Sequence, residues 1–166
     1  GCGVFPRGAA PPTRMWPAAR FASLCVQLRD NGLMPVLVGA GGQDRVQIER
    51  IRTHLAQPVV SLCDQISLAE LIVLLSHSRG FVGNDSGPMH LAAACGVPVV
   101  ALFGPTDERR GYPLSTQARV LRHRACEPGC GRPACAVQDC PCLQGITPDQ
   151  VMAALADLGV NRPLAV

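Results

Sequence analysis

The sequence contains no lysine, few aromatic residues and only a small excess of positive charge. All 15 basic residues are arginine, and the 12 acidic residues leave a formal net charge of +3. An excess this small does not favour a nucleic acid or an anionic membrane as partner. Aromatic residues make up 4% of the chain, too few for the stacking surfaces that hold single strands. We therefore expect no nucleic-acid partner.

Long apolar runs are also absent. None reaches the roughly 18 residues that cross a bilayer as a helix, and no secretory signal peptide is visible at the N-terminus. We therefore expect a cytoplasmic protein without a transmembrane segment. Of the 166 residues, 48% are hydrophobic and 16% are charged. This composition is typical of one globular domain, which we expect to span residues 1–166.

Short apolar segments alternate with helical patterns along most of the chain. Ser67 and Glu70 have the spacing of a capping box, and Thr147 followed by Pro148 is typical of a helix start. Apolar strands that alternate with helices indicate a parallel sheet covered on both faces. The predicted fold is therefore a Rossmann-like, doubly wound α/β sheet. Strands are predicted at 4–5, 34–38, 59–62, 80–82, 97–103 and 118–121. Helices are predicted at 17–29, 43–56, 68–76 and 147–158, with a further helix that ends at Gly96.

Residues 83–106 are the most informative segment. A buried strand ends at Gly83, a polar turn follows, and a helix of small residues runs to Gly96. Asp85 is predicted to cap this helix. A helix N-terminus carries free backbone N–H groups and a partial positive charge, so it favours an anion such as phosphate. Doubly wound sheets bind ligands beyond the carboxyl ends of their strands, and this turn lies there.

Other loops at the same edge carry further candidate residues. His90 lies one turn into the helix and is either a ligand contact or a structural histidine. Arg14 follows the first strand and is either a phosphate contact or a solvated arginine. Gln43 or Asp44, beside a glycine-rich loop, occupies the place where such folds bind a ribose. The dinucleotide fingerprint G-x-G-x-x-G is absent after the first strand, which argues against a nicotinamide dehydrogenase.

Five of the nine cysteines lie in a predicted loop at 124–145. Only the first two have the close spacing of a zinc knuckle. Three states remain open for this cluster: a structural zinc site, disulfides formed on oxidation, or free thiols. The candidate metal ligands are Cys126, Cys130, Cys135, Cys140 and Cys142.

The residues of this chain resemble those of a known family. Asn-Asp-Ser-Gly-Pro-Met-His-Leu-Ala-Ala-Ala at 84–94, with Pro-Val-Val-Ala-Leu-Phe-Gly-Pro-Thr at 98–106, is similar to the signature of bacterial heptosyltransferases. These are family 9 glycosyltransferases with the two-domain GT-B fold. Residues 8–17, 67–71 and 126–151 resemble other parts of the same proteins. Arg14 stands where the family usually has a lysine, which preserves the charge.

The resemblance implies the C-terminal, donor-binding half of a GT-B enzyme. Such an enzyme transfers heptose from an ADP-sugar to the lipopolysaccharide core with inversion. The implied contacts are with the diphosphate and sugar (Asp85, Ser86, Gly87 and His90), with a phosphate (Arg14), with the ribose (Gln43 or Asp44) and with the adenine (Ile66).

The resemblance also indicates what the chain lacks. The family's acceptor site and its catalytic base lie in an N-terminal domain that this chain does not contain. We therefore expect no transfer by this chain alone, a lipopolysaccharide-type acceptor held by the other domain, and a full-length protein that is cytoplasmic or peripheral to the inner membrane. No cofactor is expected beyond the possible structural zinc. Two alternatives remain: a non-catalytic nucleotide or nucleotide-sugar binding module, and a related enzyme such as a sugar-nucleotide epimerase.

Overall fold

The computed structural model describes residues 2–5, 15–123 and 141–160. These residues form six strands and seven helices. The strands are β1 (Cys2–Phe5), β2 (Pro35–Leu37), β3 (Val60–Ser61), β4 (Gly80–Asn84), β5 (Val99–Leu102) and β6 (Ala118–Leu121). The helices are α1 (Ala18–Asp30), α2 (Gly42–Thr53), α3 (Leu68–Ser76), α4 (Gly87–Ala94), α5 (Glu108–Gly111), α6 (Pro141–Gln144) and α7 (Pro148–Asp157).

All six strands lie in one parallel sheet, in the order β3-β2-β1-β4-β5-β6. The chain first builds outward from β1 to β3 and then returns to place β4 on the other side of β1. The strand order therefore reverses between β1 and β4. A ligand crevice forms at such a reversal, beyond the carboxyl ends of the strands. The predicted doubly wound sheet is confirmed.

Apolar side chains cover both faces of the sheet. On β5, Val100 and Leu102 pack into the cluster formed with α1, α2 and α7, whereas Val99 and Ala101 pack into the cluster formed with α3 and α4. Successive strand residues point to opposite faces, so a continuous apolar strand supplies both clusters. All four residues of β5 are completely buried, which explains why its sequence shows no polar alternation.

Two predicted helix starts are confirmed. Ser67 and Glu70 form a reciprocal capping box at α3, since the Ser67 N–H donates to Glu70 Oε2 at 2.7 Å. Thr147 and Gln150 do the same at α7, where the Thr147 N–H donates to Gln150 Oε1 at 2.8 Å. Both boxes are local in sequence, which makes them predictable without knowledge of the tertiary fold.

The predicted cap at Asp85 is wrong. The Asp85 N–H donates to the Leu102 carbonyl at 3.3 Å, so the backbone still runs along β5 at this residue. Ser86 is also extended, with φ −161° and ψ 163°, and it is the N-cap of α4. The helix therefore begins one residue later than predicted.

Two short helices were not predicted. α5 and α6 have four residues each, fewer than the periodic pattern of a helix needs to become visible. α6 falls inside the predicted cysteine-rich loop at 124–145, so the end of that segment is helical. In the part of the chain that the structure describes, no helix has the length and apolar character needed to span a membrane.

Candidate functional site

A pocket of about 440 Å³ opens at the carboxyl edge of the sheet. It lies between the end of β2, the start of α3 and the start of α4. Three of the predicted site residues line it together: Asp44, Ile66 and Gly87. They are far apart in sequence, and the parallel order of β2, β3 and β4 brings their loops to one edge.

The walls of this pocket are mostly apolar. Ile66, Leu71 and Leu91 line it, while Leu68 lies at the rim with 63% of its surface exposed. Small-molecule sites are typically apolar cavities with a few polar groups that fix orientation. The polar groups here are the Asp44 carboxylate, Ser67 of the α3 capping box and the backbone at the start of α4. The arrangement suits a flat apolar ring joined to an anionic group.

Asp44 holds the glycine-rich loop that forms one rim of the pocket. Its Oδ2 accepts a hydrogen bond from the Ala40 N–H at 2.9 Å. Gly39 passes so close to this carboxylate that a Cβ on Gly39 would lie 2.8 Å from the Asp44 Cβ. A side chain at position 39 would therefore clash with Asp44, and the loop could not keep its path with a residue larger than glycine.

Replacing Gly39 by alanine is expected to destabilise the protein by about 1–3 kcal/mol, because the added methyl displaces Asp44 and the rim of the pocket. Gly42→Ala is the matched control, since a Cβ there has nothing within 4 Å. Gly42 begins α2, so alanine is expected to be neutral or stabilising by up to about 1 kcal/mol. Urea unfolding of both variants measures the difference, and equal stabilities would contradict this account of Gly39.

A second carboxylate, Asp64, connects the loops after β2 and β3. Its Oδ1 accepts from the Gly41 N–H at 2.7 Å, and its Oδ2 accepts from Arg45 Nη2 at 2.8 Å. Asp64 adopts the left-handed conformation with φ 58°, which aspartate tolerates better than most residues. The Gly41 N–H, and then the Arg45 guanidinium, hold the pKa of Asp64 below its ordinary value. No local sequence pattern predicts the hydrogen bonds of Asp64 to Gly41 and Arg45.

The Asp64 clamp predicts a pH dependence. A carboxylate whose pKa is lowered by folding stabilises the protein above its unfolded pKa, and this contribution is lost as the pH falls through the lowered value. Asp64→Asn retains an acceptor for Gly41 but does not titrate. We expect the wild-type Tm to exceed that of Asp64→Asn at pH 7, and the gap to close as the pH falls below about 4. A gap that persists at pH 2 would contradict the clamp.

The start of α4 forms the other polar side of the site. No acidic residue lies in the first turn of α4, so the positive end of the helix is not neutralised there. Ser86 is 2% exposed, and its Oγ has no hydrogen-bond partner in the part of the chain that the structure describes. A Cβ on Gly87 would meet nothing within 4 Å, so the backbone is open to close approach. These features are typical of an anion-binding helix start.

The remaining predicted residues take different positions. Asp85 is directed toward α5, and its Oδ1 lies 3.2 Å from the position of a Cβ on Gly111. His90 is exposed on α4, and Gln43 is exposed beside Asp44. Arg14 lies outside the described residues.

The predicted zinc ligands fall mostly outside the described residues. Cys126, Cys130, Cys135 and Cys140 are in that undescribed stretch. Cys142 is buried in α6, where its carbonyl accepts from the His123 N–H at 3.4 Å. Within residues 2–5, 15–123 and 141–160, no group of three His, Cys, Asp or Glu side chains is arranged to hold a metal.

Trp16 is a structural residue that the sequence analysis did not single out. It is completely buried, and its indole Nε1–H donates to the Ile146 carbonyl at 3.0 Å. Its backbone N–H donates to Asn84 Oδ1 at 3.2 Å, and its carbonyl accepts from Gln47 Nε2 at 3.3 Å. Trp16 therefore joins the start of α1 to β4, α2 and the loop before α7. Its bonds cross long sequence separations, which no local pattern reveals.

Comparison with known proteins gives one consistent family. The profile described as "Glycosyltransferase family 9 (heptosyltransferase)" matches residues 2–138. Lipopolysaccharide heptosyltransferase 2 of Escherichia coli K12 is 34% identical over 123 residues, which are 72% of this chain and 35% of that protein. Lipooligosaccharide heptosyltransferase 2 of Haemophilus ducreyi is 36% identical over 126 residues, 72% of this chain and 36% of that protein.

The fold agrees with these sequence matches. The solved structure of E. coli ADP-heptose lps heptosyltransferase II superposes with a TM-score of 0.81 at 32% identity, and the match covers 95% of this chain and 45% of that one. The chain thus spans about a third of the length of these two curated relatives. The predicted resemblance is confirmed, and the chain belongs to glycosyltransferase family 9.

Proposed function

We propose that this chain is the donor-binding half of an inverting heptosyltransferase of lipopolysaccharide core synthesis, and that its donor is ADP-heptose. The observation that carries the proposal is the pocket at the carboxyl edge, where an apolar cavity adjoins a helix start without acidic residues. A nucleoside diphosphate has this same pairing of a flat ring and an anionic group. One relative of known structure is an ADP-heptose lps heptosyltransferase, which supports the choice of adenine.

The adenine of the donor is assigned to the apolar part of the pocket, against Ile66. Ile66 is half-buried and contributes to the cluster that includes Leu71. Its side chain therefore packs against this cluster and also presents an apolar surface to a ring bound in the pocket. Burial of an aromatic ring against such a surface is favourable in proportion to the apolar area removed from water.

The ribose is assigned to the rim that Asp44 holds. Asp44 lines the pocket, whereas Gln43 is exposed beside it, so we favour Asp44 over Gln43. One oxygen of the Asp44 carboxylate already accepts from the Ala40 N–H. A carboxylate has about four acceptor sites, so it can also accept a bond from a ribose hydroxyl.

The diphosphate is assigned to the start of α4. Ser86 and Gly87 offer a hydroxyl and an unobstructed backbone, and the helix dipole favours the negative charge. His90 lies one turn further along α4 and is assigned to the sugar or its adjacent phosphate. Asp85 is assigned to a hydroxyl of the sugar, because its carboxylate and the diphosphate are both negatively charged and repel each other. Arg14 is assigned to a phosphate, where a guanidinium binds in a fork geometry.

Calorimetric titration of the chain with ADP and with UDP tests the nucleotide. We expect ADP to bind at least about tenfold more tightly, because a purine has more apolar area to bury against the pocket wall than a pyrimidine. Ile66→Ser is a matched variant, since Ile66 lines the pocket and is only half-buried in the core. It should weaken ADP binding. Tight UDP binding without ADP binding would overturn the assignment of ADP-heptose.

Transfer activity tests the rest of the proposal. Inverting transfer needs a base to deprotonate the acceptor hydroxyl, and we assign this base and the acceptor site to the other half of the enzyme. We expect the purified 166-residue chain to bind donor and to show no heptose transfer to lipopolysaccharide core acceptors. Transfer by this chain alone would contradict its assignment as a donor-binding half.

A further inference from the structure

Asn84 is a buried polar residue at the ligand crevice that the proposed donor contacts do not include. It ends β4, the strand that adjoins β1 where the strand order reverses. The residue is only 2% exposed. Ligand crevices of doubly wound sheets form at this reversal. Asn84 is therefore located where a bound ligand would pass from the start of α4 toward β1.

Only one of the two polar atoms of the Asn84 carboxamide makes a hydrogen bond with the described residues. Its Oδ1 accepts from the Trp16 N–H at 3.2 Å, whereas its Nδ2 is buried and has no hydrogen-bond partner among the described residues. The same is true of Ser86 Oγ, two residues further along the chain. Buried donors are nearly always satisfied in native proteins, and an unsatisfied one calls for an explanation. Two such donors flanking one helix start point to a missing acceptor that both can reach.

We propose that Asn84 binds the diphosphate of the donor through Nδ2 and, through Oδ1, fixes the end of the β1–α1 loop beside it. This inference rests on the proposed function. The carboxamide is suited to both tasks, because its oxygen only accepts and its nitrogen only donates. Phosphate oxygens supply the acceptors that Nδ2 and the Ser86 hydroxyl lack. A neutral donor inside the crevice also avoids the cost of burying a further charge.

Asn84→Asp tests the inference with little change in shape. The aspartate keeps an oxygen for the Trp16 N–H, but it replaces the Nδ2 donor by an acceptor that repels phosphate. Gln47→Leu is the matched control, because Gln47 is 5% exposed and bonds to the other backbone group of Trp16. It disturbs the same loop end and leaves Asn84 intact. Each variant is titrated by calorimetry with ADP and with adenosine, which lacks phosphate.

We expect Asn84→Asp to weaken ADP binding at least about tenfold and to leave adenosine binding within about twofold of wild type. Gln47→Leu should change the two affinities by the same factor. Equal weakening of ADP and adenosine by Asn84→Asp would assign Asn84 a purely structural role and overturn the inference. Failure of the wild-type chain to bind ADP would contradict the proposed function, and this inference with it.

A measurement on the wild-type chain keeps the inference testable if Asn84→Asp does not fold. The side-chain amide of Asn84 is observed by ¹⁵N NMR during titration with ADP and with adenosine. We expect its Nδ2 resonances to shift with ADP and to stay in place with adenosine. Resonances that do not respond to saturating ADP would overturn the inference.

Discussion

Trp16→Ala is expected to destabilise the protein by about 3–5 kcal/mol, close to the whole stability of a small domain. The indole is completely buried and packs edge-on against Phe21, with ring centroids 4.8 Å apart. Its removal leaves a cavity in the cluster shared by α1, α2 and α7, and it leaves the Ile146 carbonyl without the indole donor. Because Trp16 is the chain's single tryptophan, unfolding must be followed by circular dichroism rather than by fluorescence.

Two further variants separate packing from hydrogen bonding at Trp16. Trp16→Phe keeps an aromatic ring in the core but removes the Nε1–H donor to Ile146 and part of the buried indole, so we expect a smaller loss of about 1–3 kcal/mol. Val26→Ala on α1 is the surface control, because Val26 is 45% exposed. It should change stability by less than about 0.5 kcal/mol. A Trp16→Ala variant as stable as Val26→Ala would contradict the structural role of Trp16.

Gly87→Ala is expected to reduce ADP affinity at least about tenfold without loss of stability. A Cβ on Gly87 meets no protein atom within 4 Å, so the fold accepts alanine. Because Gly87 lines the pocket, the methyl group is expected to reduce the space in which the proposed diphosphate approaches the backbone. The loss of affinity corresponds to at least about 1.4 kcal/mol of binding free energy. Calorimetry with ADP measures it.

Gly42→Ala is the control for this substitution. Gly42 begins α2 as Gly87 begins α4, and a Cβ on either residue is unobstructed. Both alanine variants should therefore keep or raise the wild-type Tm, and only Gly87→Ala should lose affinity for ADP. Unchanged ADP affinity in Gly87→Ala would exclude the start of α4 as the diphosphate site.

Features with local causes were predictable from the sequence. The strand β6 and the helix α3 have the predicted bounds. Both were predictable because apolar periodicity and a capping box depend only on residues that are close together in the sequence. The parallel, doubly wound sheet followed from the alternation of strands and helices. Asp44, Ile66 and Gly87 were predicted as site residues from their loops and from the family resemblance, and the structure brings these three to one pocket.

Features that depend on distant residues were not predictable. The Trp16 indole bonds to Ile146 across 130 positions, and the Asp64 carboxylate bonds to Gly41 across 23. The start of α4 was misplaced by one residue, because the pairing of Asp85 with Leu102 of β5 overrides the local preference of aspartate for a helix cap. In each case a tertiary contact determines the conformation, and the local sequence does not predict that contact.

The most direct test of the account is to map the ADP site on the ¹⁵N-labelled chain by amide chemical shifts. We predict that the amides at Ala40, Ser67 and Gly87, which surround the pocket at the carboxyl edge, move during the titration. Those at Gly32 and Gly96, which end α1 and α4 at the opposite edge, should not move. Shifts confined to the opposite edge, or none at saturating ADP, would contradict the claim that this pocket binds the donor nucleotide.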